Sequence, residues 1–542
     1  MRHIIKISAL VLGLATLVSC NGWLDDVRQT TKISDETVWQ QESSVDSYVN
    51  TFYTYLHDYS PFGTAQYQGN LTECLTDVFN YGSTNLNPRM GHAYLLLTTP
   101  NSISADGGCM YSIWERGAYK QIRQINQFLS LQRKYSKFSD EQNALWEAQV
   151  RFFRAFVYFQ LAKRHDGVIL YDDLPTDGQK DRSTNEETWQ FVADDLDYAA
   201  QHLPEKWNAA NSGRVTKGAA FALKSRAMLY AGRWQDAYDA ADSVMSLNLY
   251  DLTAKYEDAW KGNNVESILE FNYDAQNGPS HSFDKYHCPA CDGYDYGGLG
   301  TPTQEMVECY EKADGTKVDW TPWHGTTNVT PPYAELEPRF KATVIYRGCT
   351  WKGKVMDCSL AGENGEYVPY GKLITTYGKT TTGYFLRKLM DEGLTDVKNT
   401  DSSQPWVEIR FAEVLLNKAE AAYRLNKAGE ARELMNRVRG RVGLPDKSSS
   451  GDAWFKDYRN ERKVELAYEG HLFWDMRRWR LAHTEYNHYR THGMAINGAS
   501  NTYDYVVCDD KDRLFDEKYY CLPVPVDERK NNLSIKQYDS WL

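Results

Sequence analysis

Residues 458–483 are the stretch of this 542-residue sequence that most restricts how the chain can fold. The segment reads YRNERKVELAYEGHLFWDMRRWRLAH and interleaves ten Asp, Glu, Lys and Arg residues with five aromatic residues. Apolar side chains recur at helical spacing on both sides of Gly470, which predicts two helical pieces that meet at this glycine. A solvated helix face seldom has this composition, so both pieces are expected to be buried.

Three glutamates in this stretch recur at intervals of four residues, namely Glu461, Glu465 and Glu469. Like charges at this spacing destabilise an isolated helix, so basic partners must compensate them. The candidates within the stretch are Arg462, Arg477 and Arg478. We interpret the segment as a structural clamp rather than as a catalytic carboxylate pair, because its aromatic and Arg content favours packing.

The N-terminus has the pattern of a lipoprotein signal peptide. Arg2 and Lys6 precede an apolar run over residues 7–18, and the sequence LVSC then ends at Cys20. The run is too short for a stable membrane anchor, so we predict cleavage after residue 19 and lipidation of Cys20, followed by a tether over residues 20–34. The whole chain has a net charge of −12, and loss of the leader makes it more negative. This charge argues against a nucleic-acid partner.

The sequence contains ten cysteines, which in an exported chain can form disulfides. Two pairs have the short spacing of adjacent loop or hairpin arms, Cys349 with Cys358 and Cys508 with Cys521. Two His and two Cys between residues 281 and 291 suggest a zinc site, but a single CxxC without a second pair is a weak signal. We therefore expect disulfides or free thiols there, and no metal.

The rest of the chain is predicted to be mainly α-helical. Helical patterns cover residues 35–57, 111–135 and 140–165, and two helix pairs with regularly spaced alanines resemble tetratricopeptide repeats at residues 213–247 and 411–439. Residues 271–405 have no sustained helical period and contain short β-like runs at 342–346 and 384–389. We predict one domain over residues 35–542, with a helical frame (35–270 and 406–483) and an inserted loop-rich lobe (271–405).

Four separated blocks of the sequence resemble the SusD/RagB family of Bacteroidetes surface lipoproteins. They are NERKVELAYEGHLFWDMRRWR at 460–480, VRFFRAFVYFQLAKRHDGVIL at 150–170, PTQEMVECYEKADGTKV at 302–318 and YYCLPVPVDERKNN at 519–532. The resemblance implies a helical frame with repeat-like helix pairs and a role in capturing nutrients, usually glycans, at the outer membrane. It also implies a SusC-like TonB-dependent transporter as partner, and no cofactor.

Catalytic motifs are absent from the sequence in the forms that can be recognised locally. There is no GxSxG elbow, HExxH or P-loop. Adjacent acids such as Asp172 and Asp173 do not face each other on a helix or strand, whereas a glycosidase needs two carboxylates opposed across a sugar. We therefore expect a binding protein rather than an enzyme.

Two loop stretches combine aromatic and planar polar residues, the mixture that sugar rings require. The candidates in the first stretch are Asp77, Phe79, Asn80, Tyr81 and Arg89. Those in the second are Tyr294, Tyr296, Trp320 and Trp323. The alternative roles are packing for the aromatic residues and turn or cap formation for the polar ones.

The leading hypothesis is a lipid-anchored, non-enzymatic glycan-binding protein that delivers oligosaccharide to its transporter. The first alternative keeps the architecture but replaces the glycan with a peptide or another nutrient, because a helical frame does not encode ligand class. The second alternative is a hydrolase on the same scaffold, which would need opposed carboxylates in an aromatic cleft.

Overall fold

A computed structural model describes residues 35–63, 71–80, 113–295, 297–370, 378–509 and 512–542. Its α-helices are α1 (Asp35–Val38), α2 (Glu42–Phe52), α3 (Thr54–Tyr59), α4 (Tyr119–Tyr135), α5 (Asp140–Ala162), α6 (Asn185–His202), α7 (Lys217–Tyr230), α8 (Trp234–Ser246), α9 (Phe283–His287), α10 (Gln304–Val307), α11 (Pro338–Thr343), α12 (Phe411–Arg424), α13 (Ala428–Gly440), α14 (Gly451–Glu465), α15 (Leu472–Arg478), α16 (Ala482–Glu485) and α17 (Val526–Asn531). Its strands are β1 (Phe79–Asn80), β2 (Ser267–Phe271), β3 (Thr301–Pro302), β4 (Thr326–Thr327), β5 (Val344–Ile345), β6 (Thr350–Trp351), β7 (Lys354–Val355), β8 (Phe385–Leu386), β9 (Trp406–Arg410), β10 (His492–Asn497) and β11 (Thr502–Val507).

The helices form a frame of successive pairs. Helix α5 packs on α6, α6 on α7, α7 on α8, α8 on α12, and α12 on α13. Alanines at the contacts, including Ala222, Ala237 and Ala431, are fully buried, so neighbouring helix axes can approach closely. The predicted mainly α-helical fold with tetratricopeptide-like pairs is therefore confirmed.

The helix starts follow local capping rules. Ser139 accepts a hydrogen bond from the Gln142 backbone N–H at the start of α5. Thr184 and Glu187 form a reciprocal capping box at the start of α6. The two predicted pieces around Gly470 are α14 and α15, and Gly470 has a φ of 79°, a left-handed conformation that suits glycine.

The segment between α8 and α12 leaves the frame and returns through a two-stranded ladder. Strand β2 pairs antiparallel with β9, from Phe271 opposite Trp406 to Ser267 opposite Arg410. Between these strands the chain builds a lobe of short elements with its own apolar core. The two β-like runs predicted there become β5 and β8, which pair with each other.

The C-terminal part of the chain contributes to both cores. Strands β10, β11 and β4 form an antiparallel sheet, and Met494, Ile496 and Tyr503 bury their side chains in the lobe core. Farther along the chain, Val524 and Tyr538 return to the frame core. The lobe is therefore completed by residues that follow the frame in sequence, which no local pattern indicated.

The three glutamates of residues 458–483 are neutralised by cations from outside that stretch. The partners are Arg339 and Arg439 for Glu461, Arg410 and Arg441 for Glu465, and Arg410 and Lys388 for Glu469. Because Arg339 and Lys388 belong to the lobe while Arg410 ends a strand of the frame, the network joins the two parts. These cations hold the pKa of Glu469 at about 2 despite its burial.

The expectation that Arg462, Arg477 or Arg478 neutralises these glutamates is wrong. The Arg462 Nε donates to Asp475 at 2.6 Å. The Arg478 guanidinium binds Glu420 and Asp475, while Arg477 donates to backbone carbonyl oxygens that include Tyr520 O at 2.9 Å. Arg477 and Arg478 lie on α15, whereas Arg462 lies on α14 and binds Asp475 of α15, so the three fix α15 to the frame and to the C-terminal segment.

The predicted disulfides Cys349–Cys358 and Cys508–Cys521 are not formed, and the eight cysteines in the described part of the chain carry free thiols. The Cys508 Sγ, at the end of β11, lies 3.2 Å from Thr381 O, whereas the Cys521 Sγ lies 3.6 Å from Leu522 O. Spacing along the chain gave no information about side-chain direction, which decides whether two thiols can bond.

Candidate binding site

Of the first predicted stretch, the structure describes Asp77, Phe79 and Asn80, of which Phe79 and Asn80 are buried. Phe79 is fully buried, and its ring lies 5.1 Å from the Tyr468 ring. Phe79 and Asn80 form β1, which pairs with Pro302 and Thr301 of β3. The packing role that sequence analysis held open for Phe79 is therefore the one that the structure shows.

The polar residues of this stretch make internal contacts. The Asn80 Nδ2 lies 2.9 Å from Cys508 O and 3.0 Å from the Asp509 carboxylate, which ties β1 to the end of β11. Asp77 pairs with Lys463 at 3.1 Å, and its backbone carbonyl accepts a hydrogen bond from the Thr303 hydroxyl. These contacts place the start of α10 beside β10 and β11.

The two predicted tryptophans lie on a 3₁₀ turn, Thr321–Trp323, but only one of them is near the surface. Trp320 is 5% exposed and belongs to the lobe core, so the packing role that sequence analysis held open for the aromatic residues is the one that the structure shows for Trp320. The Trp323 ring covers it at 5.6 Å in an edge-to-face arrangement and is half-buried. The polar sequence around Trp320 did not show that the turn folds inward.

The other predicted residues have different outcomes. Tyr294 is half-buried at the end of a short 3₁₀ segment. The remaining predictions, Cys20, Tyr81, Arg89 and Tyr296, lie outside the residues that the structure describes.

A group of stacked rings lies next to Trp323, at the end of the sheet where β10 begins and β11 ends. The Tyr505 ring stacks on His492 with a centroid distance of 4.3 Å and an interplanar angle of 14°. It also contacts His324 at 4.6 Å and 32°. The His324 side chain is 41% exposed, so this end of the ring group faces solvent.

Each histidine of the ring group is paired with a carboxylate from α10 or the residue after it. The Glu305 Oε1 lies 2.6 Å from the His492 Nδ1, and Glu305 also accepts from the His492 backbone N–H at 3.1 Å. The Glu308 Oε1 lies 2.8 Å from the His324 Nε2. Burial raises the pKa of Glu305, and its hydrogen bonds to His492 oppose that effect.

Local structure explains why these side chains meet. Successive residues of a strand point to opposite faces, so Tyr503 and Tyr505 share the face of β11 that is directed toward the lobe. Tyr503 is buried in the core, while Tyr505, two residues on, reaches the edge. The side chain of Thr303 caps α10 by accepting from the Met306 backbone N–H, which fixes the direction of Glu305.

Sequence analysis missed five residues of this group, namely Glu305, Glu308, His324, His492 and Tyr505. They come from two distant parts of the chain, residues 305–324 and residues 492–505. Glu305 and Glu308 lie in the family-like block at 302–318, but that resemblance did not single them out. The only local signal is the alternation in TYDYVV at β11, which predicts a strand but does not show what packs against it.

The arrangement suits a polyhydroxylated ligand. Aromatic and imidazole faces can pack against the C–H groups of a pyranose, and carboxylates accept hydrogen bonds from its hydroxyls. Across the described residues, no group of three or more His, Cys, Asp or Glu side chains is placed to hold a metal ion. The site is therefore built for contact and hydrogen bonding.

A separate groove of about 820 Å³ lies between the lobe and residues 257–261 of the frame. Trp260, Leu336 and Met390 line its floor, and the Arg387–Glu392 ion pair lies on its wall. No predicted site residue lines it.

Within the described part of the chain, no helix is both long and apolar enough to cross a membrane.

Comparison with known sequences identifies two family matches that together span most of the chain. The pattern of the SusD family matches residues 265–541, and a second pattern, described as starch-binding associating with outer membrane, matches residues 22–229. A SusD-like protein of Bacteroides ovatus is 25% identical over 61% of this chain and 58% of its own length. SusD-like protein P25 of Formosa agariphila is 22% identical, covering 88% of this chain and 89% of its own.

Solved structures give the same fold. A SusD-like protein of Bacteroides fragilis superimposes with a TM-score of 0.76 at 27% identity, covering 93% of this chain and 98% of the other. A SusD-like carbohydrate binding protein of the same species also gives 0.76, at 24% identity, with 92% and 100% covered. The repeat-like helix pairs, the inserted lobe and the match over residues 265–541 show that this chain belongs to the SusD family.

Proposed function

We propose that this protein is a glycan-binding lipoprotein of the bacterial outer membrane that does not catalyse a reaction. Three observations support the proposal: membership of the SusD family, the lipoprotein cleavage pattern ending at Cys20, and the description of the family that matches residues 22–229. A solved neighbour from Bacteroides fragilis is described as carbohydrate binding. The lipid on Cys20 would hold the protein at the membrane, where it would pass its ligand to a SusC-like TonB-dependent transporter.

The ring group around Tyr505 carries the glycan part of this proposal. His324 and the half-buried Trp323 supply planar surfaces at the solvent side, and Glu305 and Glu308 lie beside them as acceptors. A sugar ring that packs on these surfaces would place its equatorial hydroxyls toward the carboxylates. The two His–Glu pairs would hold the rings in place before the ligand arrives, which lowers the entropy cost of binding.

Titration calorimetry of a soluble form that starts at Asn21, without the lipidated Cys20, tests the site against a panel of plant, host and microbial polysaccharides. We expect binding to one glycan class, and a loss of at least tenfold in affinity for Tyr505→Ala and for Trp323→Ala. The matched control is Tyr198→Ala, because Tyr198 also contacts a histidine, His202 at 4.4 Å, but lies on α6 of the frame.

Two results would contradict the proposal. Unchanged affinity in both site variants, or a loss in Tyr198→Ala as large as theirs, would show that the ring group does not bind the glycan. Thermal stabilisation by peptides and not by glycans would assign the protein to a peptide ligand instead.

The transporter partner has its own test. We expect a TonB-dependent transporter to co-purify with the native lipoprotein from detergent-solubilised outer membranes.

A further inference from the structure

A second pocket, with a volume of about 350 Å³, opens on the helical frame. It lies where the end of α5 meets the starts of α6 and α15 and the segment around Tyr520. Its aromatic walls include Trp189, Trp474 and Tyr520. The volume is at the lower end of the range for small-molecule sites. None of the residues around the ring group of Tyr505 lines this pocket.

The pocket collects positive charge in a protein whose net charge is −12. Lys163, Arg477, Arg478 and Arg480 line it, and Asp166 is its single acidic wall residue. Arg478 is neutralised by Glu420 at 2.6 Å and by Asp475 at 2.8 Å. The charge balance of the pocket therefore depends on the other cations.

Lys163 is held in place by aromatic rings. Its Nζ lies 4.7 Å from the Trp474 ring centroid and 5.2 Å from that of Phe159, and within the described residues its ammonium makes no hydrogen bond or ion pair. Burial and the neighbouring Arg164 guanidinium hold its pKa well below the usual range. An ammonium in such surroundings gains stability when an anion binds beside it.

Arg480 lies at the mouth of the pocket. Its guanidinium stacks on the Tyr520 ring at 3.9 Å, and no carboxylate of the described chain pairs with it. Stacking on one face leaves the N–H groups at the guanidinium edge available, and a carboxylate or a sulfate can accept two of them at once. The backbone of Arg480 has a φ of 60°, so the main chain is fixed in a left-handed conformation at this point.

Arg477 completes the wall. Its guanidinium donates to Tyr520 O at 2.9 Å and to Arg164 O at 3.3 Å, and it lies over Trp474 at 5.4 Å. These carbonyl contacts orient the guanidinium along the wall of the pocket.

We propose that this pocket is a binding site for an oxyanion group, such as the carboxylate, sulfate or phosphate of a ligand about the size of a monosaccharide. Lys163 and Arg480 would contact the anion directly, and the surrounding aromatic rings would pack against the ring that carries it. The site is separate from the proposed glycan surface at Tyr505, and it does not depend on that function.

The test is titration of the mature chain with galacturonate, galactose 6-sulfate and inorganic phosphate, each compared with neutral galactose. We expect at least one anion to bind at least tenfold more tightly than galactose, with an affinity that falls as salt is raised. Lys163→Met and Arg480→Gln should each reduce that affinity at least fivefold. The matched control is Lys134→Met, since Lys134 also lies over an aromatic ring, Tyr135 at 4.7 Å, but on the far end of α4.

Comparison of the three anions shows whether the pocket recognises a charged sugar or the oxyanion group by itself. Binding of galacturonate or the sugar sulfate alone would indicate a charged sugar, and equal binding of phosphate would indicate recognition of the oxyanion itself. Equal affinity for galactose and the anions, or anion affinity unchanged in both variants, would overturn the proposal. The thermal unfolding midpoint of each variant, measured without ligand, separates loss of binding from loss of folding.

Discussion

Arg410 and Glu469 form a bidentate ion pair in the interior, with the Arg410 Nε 2.7 Å from the Glu469 Oε2 and the Nη2 2.8 Å from the Oε1. Arg410 ends strand β9, where the chain returns to the frame, and Glu469 directly precedes the turn at Gly470. The pair therefore connects the closing strand of the insertion with the stretch that joins α14 to α15.

Removing one partner of this pair should strongly destabilise the fold. Arg410→Met leaves Glu469 and Glu465 buried with fewer cations, and breaking a buried pair in this way costs ~3 to 5 kcal/mol. Denaturant unfolding, followed by circular dichroism, measures the change. Arg437→Met is the control, because Arg437 forms an exposed ion pair with Asp251. A loss below about 1 kcal/mol for Arg410→Met, comparable with that expected for a surface pair, would contradict the clamp.

Asp284 should contribute a loss of stability as pH rises toward neutrality. Burial raises the pKa of this carboxyl from 3.8 to about 7, so between these values the folded state binds a proton that the unfolded state lacks. Its Oδ1 accepts from the Asp391 N–H at 2.7 Å, while its Oδ2 has no hydrogen-bond partner among the residues that the structure describes. Ionisation is therefore unfavourable in the fold.

Asp284→Asn removes this titration and keeps one oxygen as an acceptor. We expect the variant to lose less stability than the parent between pH 4 and pH 8, by ~1 to 3 kcal/mol. Free energies of unfolding across this range measure the difference. Asp194→Asn, on the exposed face of α6, should leave the pH profile of the parent unchanged. Identical profiles for Asp284→Asn and the parent would show that Asp284 does not titrate in this range.

The two tryptophans of the 3₁₀ turn should differ in what their removal changes. Trp320→Ala leaves a cavity in the lobe core, and truncation of a buried Trp typically costs ~3 to 5 kcal/mol of stability. Trp323→Ala removes a half-buried ring and should cost less stability, while lowering glycan affinity. Denaturant unfolding of both variants measures the loss of stability, and titration calorimetry measures the loss of glycan affinity. Equal stability losses would contradict the placement of Trp323 at the surface.

The thiols provide a test of the cysteine assignments. Cys74, Cys288, Cys358 and Cys508 are buried, so an alkylating reagent should modify them only after unfolding. Mass spectrometry of peptides digested without reductant should show no link between Cys508 and Cys521. Recovery of that linked peptide from freshly purified protein would contradict the separation of the two side chains in the fold.

The parts of the fold that depend on local periodicity could be predicted from the sequence. The helix pairs at α7 with α8 and α12 with α13, the break at Gly470 and the two extended runs that become β5 and β8 all follow from the spacing of apolar and small residues. Such patterns are short in range, because side chains three or four positions apart share one face of a helix and those two apart share one face of a strand.

The candidate site could be predicted only in part. Sequence analysis named two loop stretches as candidates but did not relate them in space; in the fold, Asn80 of the first pairs with Thr301, which lies between Tyr294 and Trp323 of the second. The rings that form the surface, however, are His324, Tyr505 and His492, and two of them come from a sheet at the end of the chain. A single sequence contains no local sign of that pairing.

The sequence by itself determined the helical frame and the need for a buried, charge-rich segment at residues 458–483, and it predicts a leader that ends at Cys20. Only the tertiary structure decided which cations neutralise Glu461, Glu465 and Glu469, and that Trp320 turns inward. The physical reason is the range of the interactions. Helix and strand faces are set by neighbours along the chain, whereas a buried charge or ring takes its partner from whichever segment packs against it.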